Sequence, residues 1–219
     1  MALGAIYYPK GTKEKQINFD SLYIPYIYKE IYLEGVYNDI CNNRKDMTII
    51  DIGANIGIVT QYLRNTAKKV FAIEPSTEHF EALKKNKEFN NWDNVEVFKM
   101  AMADKDGEMK LNTLDSNRTC HSLVNDYKQG GEMVKTIAFD TFFKENKIEK
   151  ADFVKFDVEG AEDKILRSEG FRKTADKINS IMVEFHYPTF PDLIKFMMKE
   201  YKFQARRYES SAIICLFFK

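Results

Sequence analysis

The 219-residue chain carries 33 basic and 33 acidic residues, so it has no net charge with which to gather nucleic acid or an anionic membrane around it. With 44% hydrophobic and 30% charged residues it has the balance of a globular chain, neither disordered nor membrane-spanning, and its length suits one closed core. Cys41, Cys120 and Cys215 form neither a disulfide framework nor a zinc spacing, and the opening MALGAIYYPKGTKEK lacks the apolar run of a secretory leader, so a cytoplasmic setting is expected.

From Ser21 to Ile40 the apolar residues recur at helical intervals, which predicts an amphipathic helix broken at Gly35 within an N-terminal extension over residues 1–46. MTIIDIG, residues 47–53, is a β-branched strand ending in glycine, and Ile56 to Asn65 follows as a helix. The unit then repeats. Val70 to Ile73 reads as a strand, and Ser76 as the N-cap of a Lys- and Glu-rich helix reaching Asn90. Val95 to Met102 is a third strand, Ala151 to Asp157 a fourth, Ala161 to Glu169 a helix closed by Gly170, and Ser180 to His186 a fifth strand. Strands alternating with helices predict a Rossmann-like α/β fold: a mostly parallel, doubly wound sheet with helices on both faces.

Two regions break that alternation. Within residues 104–138, Glu108 to Leu114 and Met133 to Ala138 read as short strands around the polar stretch DSNRTCHSLVNDYKQGG, a mobile cover over the C-terminal edge of the sheet. At the end of the chain, Lys202 to Tyr208 and Ala212 to Phe218 flank the turn Glu209-Ser210-Ser211 and predict an antiparallel C-terminal hairpin.

The chemistry centres on DIGANIG, Asp51 to Gly57, at a strand-to-helix turn where ligands of such sheets bind. Gly53 and Gly57 let the backbone turn tightly and a ligand approach it. A dinucleotide site would show G-x-G-x-x-G and a P-loop would show G-K-[ST]; neither is present. Asp51 would repel a pyrophosphate but attract, directly or through water, the cationic amino acid part of S-adenosylmethionine. Glu74, ending the next strand in FAIEPS, can accept hydrogen bonds from both ribose hydroxyls, and Pro75 offers an apolar surface beside adenine.

These blocks, with the Phe-Asp of TIAFDTFF at 139 and 140, KFDVEGAE at 155–162 and VEFH at 183–186, together resemble the FkbM-type methyltransferase family from about Tyr37 to His186. The resemblance implies a class I methyltransferase fold in a single domain over 1–219, S-adenosylmethionine as cofactor, and methylation of a hydroxyl on a sugar or small natural-product-like acceptor. Carried over by position, the cofactor loop falls on Asp51, Gly53, Ala54, Asn55 and Gly57, and the ribose acid on Glu74. The adenine segment falls on Met102, Ala103 and Asp104, where Asp104 is either an adenine partner or a turn residue.

Methyl transfer requires an aligned acceptor oxygen and a base. On this reading Asp157 or His186 takes the proton, with Glu184 or Glu159 orienting its partner. No metal is expected, although a metal-assisted variant would draw on Asp157 and Glu184. Arg118, His121, Ser122 and Tyr127 in the cover are candidates for acceptor contact. Two rival readings stand beside this one. An RNA or protein N-methyltransferase would use Lys202, Arg206 and Arg207 with Tyr201, Phe203 and Tyr208, but DVEG stands where an N-P-P-Y motif would be, so nucleic acid is not the expected partner. A cofactor-binding module without catalysis would have no need of ionisable groups clustered at strand ends.

Overall fold

The computed structural model describes residues 4–5, 18–19, 29–41, 44–113, 122–124, 130–186, 190–208 and 212–219. Its main elements in chain order are β1 (Met47–Ile52), α1 (Ile58–Leu63), β2 (Ala67–Ile73), α2 (Thr77–Phe89), β3 (Val95–Phe98), β4 (Ala101–Met102), β5 (Gly107–Thr113) and β6 (Gly130–Ile137). Then come α3 (Phe139–Glu145), β7 (Phe153–Phe156), α4 (Glu162–Leu166), α5 (Glu169–Thr174), β8 (Ser180–His186), α6 (Phe190–Met197), β9 (Lys202–Tyr208) and β10 (Ala212–Phe218).

The seven-stranded sheet has the order β9-β10-β8-β7-β1-β2-β3. Its central strands pair in parallel, and the C-terminal hairpin joins β8 antiparallel, as the sequence predicts. Strand order reverses between β1 and β7, which makes their C-terminal ends the switch point at which such sheets bind ligands.

Residues of alternating parity go to opposite faces. Ile50, Ile52, Phe71, Ile73, Val154 and Phe156 face a core shared with α3, α5 and α6. Ile49, Val70, Ala72 and Phe153 face a second core with α1, α2 and Trp92. Both faces are therefore covered, and each fully buried Phe or Ile contributes about 1.5–3 kcal/mol. Register aligns Ile52 with both Ile73 and Phe156, and Phe156 with Val183, so Gly53, Glu74, Asp157 and Glu184 emerge side by side at one edge.

Several elements differ from the sequence expectation. The third strand splits: β3 stays on the main sheet, while β4 pairs with β6 in a separate sheet of order β4-β6-β5. The helix expected from Ala161 to Glu169 is two helices, because the Ser168 hydroxyl accepts from Phe171 N–H (3.1 Å) and starts α5. Gly170 does not close a helix but sits inside α5, where an added Cβ would meet Asp140 Oδ1 at 2.7 Å. Two helices had no prediction. One of them, α3, has no capping side chain of its own; Asp106 instead accepts from Ala138 N–H and Thr141 Oγ–H, each at 2.8 Å. The other is α6.

Of the predicted N-terminal helix, the described part is a π-helical turn, Lys29–Leu33, and a short helix, Asn38–Cys41, with Gly35 (φ 68°) between them. Among the described residues no helix is long and apolar enough to cross a membrane.

Candidate functional site

The turn after β1 is held in an alternating pattern of left-handed residues, with φ of 74° at Gly53, 51° at Asn55 and 96° at Gly57. The glycines serve packing as much as ligand approach. A Cβ on Gly53 would lie 2.0 Å from the Asp157 carbonyl oxygen, and one on Gly57 would meet Leu83 Cδ1 at 2.7 Å and Trp92 at 3.0 Å. Gly53 N–H and Ala54 N–H both donate to Ile73 O at 3.0 Å, which ties the turn to the end of β2. Glu74 is buried, and its two oxygens accept from Asn55 N–H and Ser76 N–H, each at 2.8 Å. Burial outweighs those two amides and pushes its carboxyl up to about 7.

Beneath the turn lies a residue that the sequence reading passed over. Lys155 is buried on the central strand β7, and its ammonium donates to Gly53 O (2.7 Å), Ile52 O (3.3 Å) and Asp157 Oδ2 (3.2 Å). It also lies 3.8 Å from Asp51 Oδ1. Burial works against its charge, but Asp157 and Asp51 outweigh that and hold it above the ordinary lysine range. Asp51 is fully buried and its Oδ2 accepts from Thr60 Oγ–H at 2.5 Å. Its carboxylate thus faces inward to Thr60 and Lys155, where the sequence alone predicts an approach, direct or through water, to a cationic ligand. The cause is register: Asp51 is paired with Lys155 across the sheet. A charged residue in the apolar run FVKF was the available signal, since a buried ammonium needs partners.

The ends of β7 and β8 form an ionic group. His186 donates from Nδ1 to Glu162 Oε1 (2.8 Å), while its Nε2 lies 3.4 Å from Glu159 Oε2 and 3.8 Å from Glu184 Oε1. Burial disfavours the imidazolium, yet the Glu162 hydrogen bond with the charges of Asp157 and Glu159 pushes it up to about 10. Burial and repulsion from Asp157 raise Glu159 to about 7 and Glu184 to about 8, against the pull of His186. One ligand-type atom each of Asp157, Glu159 and His186 lies within 4.8 Å of the others. Glu162 is the second residue here that was quoted in a motif but given no role.

Between these strand ends opens a cleft lined by residues from both halves of the edge. From the expected cofactor segments, Gly53, Asn55, Glu74, Pro75 and Met102 line it; from the loop after β7, Asp157 and Glu159 do. Leu111 and Leu123 supply an apolar wall from the cover region.

The other expected residues do not line the cleft. Ala54 and Gly57 are taken up by the packing described above, and Ala103 N–H donates to Ile137 O (2.9 Å). Asp104 pairs with Lys164 at 3.2 Å, and Glu184 and His186 stand behind Glu159. Ser122 is fully buried, its hydroxyl donating to Glu159 O (2.6 Å) and accepting from Val124 N–H (3.1 Å), so it braces the site and is not exposed to an acceptor. Arg118, His121 and Tyr127 lie outside the described residues. Of the basic-aromatic footprint near the C-terminus, Tyr201 is buried with its hydroxyl on Ala175 O (2.8 Å) and Phe203 packs 5.6 Å from Phe217. Tyr201 thus belongs to the core, and the partly buried Phe203 packs against it.

A family model described as the methyltransferase FkbM domain matches residues 51–208, from the glycine turn to the end of β9. The chain belongs to the FkbM methyltransferase family. Among curated relatives of this FkbM domain, hexuronic acid methyltransferase AglP of Haloferax volcanii is 26% identical, over 72% of this chain and 64% of its own. The solved structure of methyltransferase FkbM from Methylobacillus flagellatus superposes with a TM-score of 0.59 at 16% identity, covering 88% of this chain. The FkbM domain therefore has the Rossmann-like class I methyltransferase fold. It spans 48% of that solved chain and just under two thirds of AglP. A methyltransferase of Streptococcus mutans, solved in complex with SAH, superposes with a TM-score of 0.51 at 14% identity, over 80% of this chain and 90% of that one.

Proposed function

We propose that this chain transfers the methyl group of S-adenosylmethionine to a hydroxyl oxygen of a sugar or small natural-product-like acceptor. The observation that carries the reading is Asp157 Oδ1. It is buried and has no hydrogen-bond partner among the described residues, on a side chain that lines the cleft. An orphaned buried acceptor costs about 1–3 kcal/mol, and a ligand ammonium group relieves it. Glu74 spends two of about four acceptor positions on backbone amides and keeps the rest for ribose hydroxyls. Pro75 and Met102 offer apolar surface for the adenine ring. These residues fit the donor, as does the SAH in the Streptococcus mutans neighbour.

When bound, S-adenosylmethionine supplies an electrophilic methyl carbon: the acceptor oxygen forms a bond to it as the carbon–sulfur bond breaks, leaving the electron pair on sulfur. The chain's part is to align the acceptor and remove its proton. Glu159 is the base this geometry favours, because it lines the cleft and exchanges its proton near neutrality. His186, held protonated, acts instead as the cation that steadies Glu159, which departs from the sequence expectation of His186 or Asp157 as base. Asp157, with Oδ2 on Lys155, holds the donor. The sugar class rests on AglP and on a cleft walled by Leu111 and Leu123.

Titration calorimetry with S-adenosylmethionine and, separately, NAD tests the donor: binding of the first without the second is expected, and the reverse overturns the reading. Incubation with methyl-labelled donor and fractionated cell extract tests the acceptor. Label in glycan or small-molecule fractions, undiminished by chelator, is the expected result; label in RNA or protein overturns the hydroxyl assignment.

A further inference from the structure

We propose that Glu162 is a positioning residue for methyl transfer: it fixes the His186 ring and, through that ring, the Glu159 carboxylate at the wall of the cleft. The inference rests on the reading of Glu159 given above.

Glu162 opens α4 with 2% of its surface exposed, and a carboxylate so buried must be tied down. Its Oε1 accepts from His186 Nδ1–H at 2.8 Å and from Gly160 N–H at 3.0 Å. The first bond orients the imidazole and leaves Nε2 toward Glu159 Oε2, 3.4 Å away, with Glu184 Oε1 at 3.8 Å. The second grips the backbone next to Glu159. One carboxylate oxygen therefore controls both the partner of Glu159 and the loop that carries it.

That loop needs holding. Glu159 adopts φ 52° and Gly160 φ 101°, and a left-handed glutamate persists only where its surroundings impose it. Ser122 Oγ–H adds a third grip, on Glu159 O at 2.6 Å. The arrangement resembles a carboxylate-oriented imidazole in which the third member is the group facing the cleft.

The charged groups around His186 are Glu162 from α4, Asp157 and Glu159 from the loop after β7, and Glu184 from its own strand, with Lys155 on the far side of Asp157. Burial opposes the imidazolium, and the Glu162 hydrogen bond is foremost among the interactions that hold its proton.

The test compares wild type with Glu162→Gln, which removes the charge at constant size, and Glu162→Asp, which keeps the charge and shortens the reach. In Glu162→Gln the NMR titration of His186 should fall by at least about one pH unit, a tenfold loss in proton affinity. Calorimetric affinity for S-adenosylmethionine should stay within about threefold, since the residue does not line the cleft. Labelled methyl transfer into a panel of methyl glycosides should lose about tenfold or more in kcat with KM nearly unchanged, the alkaline limb of the pH profile moving down with His186. Glu162→Asp should recover part of both losses. An unmoved His186 titration, or a lowered one with kcat intact, overturns the proposal.

If Glu162→Gln does not fold, Glu162→Asp decides: reduced kcat with a displaced alkaline limb supports the role, and a wild-type profile overturns it. A wild type that binds the donor yet methylates no hydroxyl of the panel counts against the proposed function. The His186 titration then still decides whether Glu162 holds the ring.

Discussion

At the ends of β1 and β2 the polar partners are backbone groups: Ile73 O takes the amides of Gly53 and Ala54, and Glu74 takes those of Asn55 and Ser76. At the ends of β7 and β8 they are ionisable side chains, with His186 set among Glu159, Glu162 and Glu184. The first half is shaped mainly by sterics and amide geometry, with Glu74, raised to about 7, as its titrating member. The second is shaped by charge, which depends on protonation and burial. One strand-end edge thus combines a rigid cradle with a titratable wall, and Lys155 joins them by reaching Gly53 O on one side and Asp157 on the other.

The sharpest way to break the rigid half is Gly53→Ala. The left-handed φ of 74° and the Asp157 oxygen at 2.0 Å leave a methyl group nowhere to go, so a loss of at least about 4 kcal/mol is expected in denaturant unfolding. Lys155→Met should come next, at about 3 kcal/mol, because it strands Asp51 and Asp157 without their cation. Adding Asp51→Asn should restore part of that loss; a strictly additive double mutant would show that the two residues are not coupled.

The titratable half should respond to pH. His186 holds its proton to about 10 against an ordinary 6.5, so its stabilisation is complete below 6.5 and disappears as pH rises through 10. Glu74, raised from 4.5 to about 7, has lost its corresponding contribution by pH 8. Thermal melts between pH 8 and 10 should therefore show a decline that His186→Gln reduces by about 2 kcal/mol, the remainder coming from groups such as the Cys215 thiol, which burial pushes up to about 12. An equal decline in the variant would place its origin elsewhere. The smallest effect is expected from Ser122→Ala, about 1 kcal/mol, for the lost hydroxyl bond to Glu159 O.

How much of this was legible in the sequence follows the same division. The strand, glycine turn and helix around DIGANIG and the N-cap at Ser76 were readable, because propensity and capping act within a few residues. The course of α3 was not, since its cap is Asp106, some thirty residues away in the chain. The motif residues Asp157 and Glu159 were expected at the strand end and do line the cleft, whereas the inward turn of Asp51 depended on Lys155 standing opposite it in register. Lys155 and Glu162 were visible as letters in KFDVEGAE, but their partners lie 102 and 24 residues away.

By itself, then, the sequence determined the alternation of elements, the parallel sheet and the position of a glycine-bearing turn at its edge, for these follow from periodicity and local backbone preference. Tertiary structure decided which carboxylates are buried, which are paired with a cation, and which look into the cleft. Those outcomes turn on distances of a few ångströms between residues far apart in the chain, and electrostatic energies change steeply over such distances.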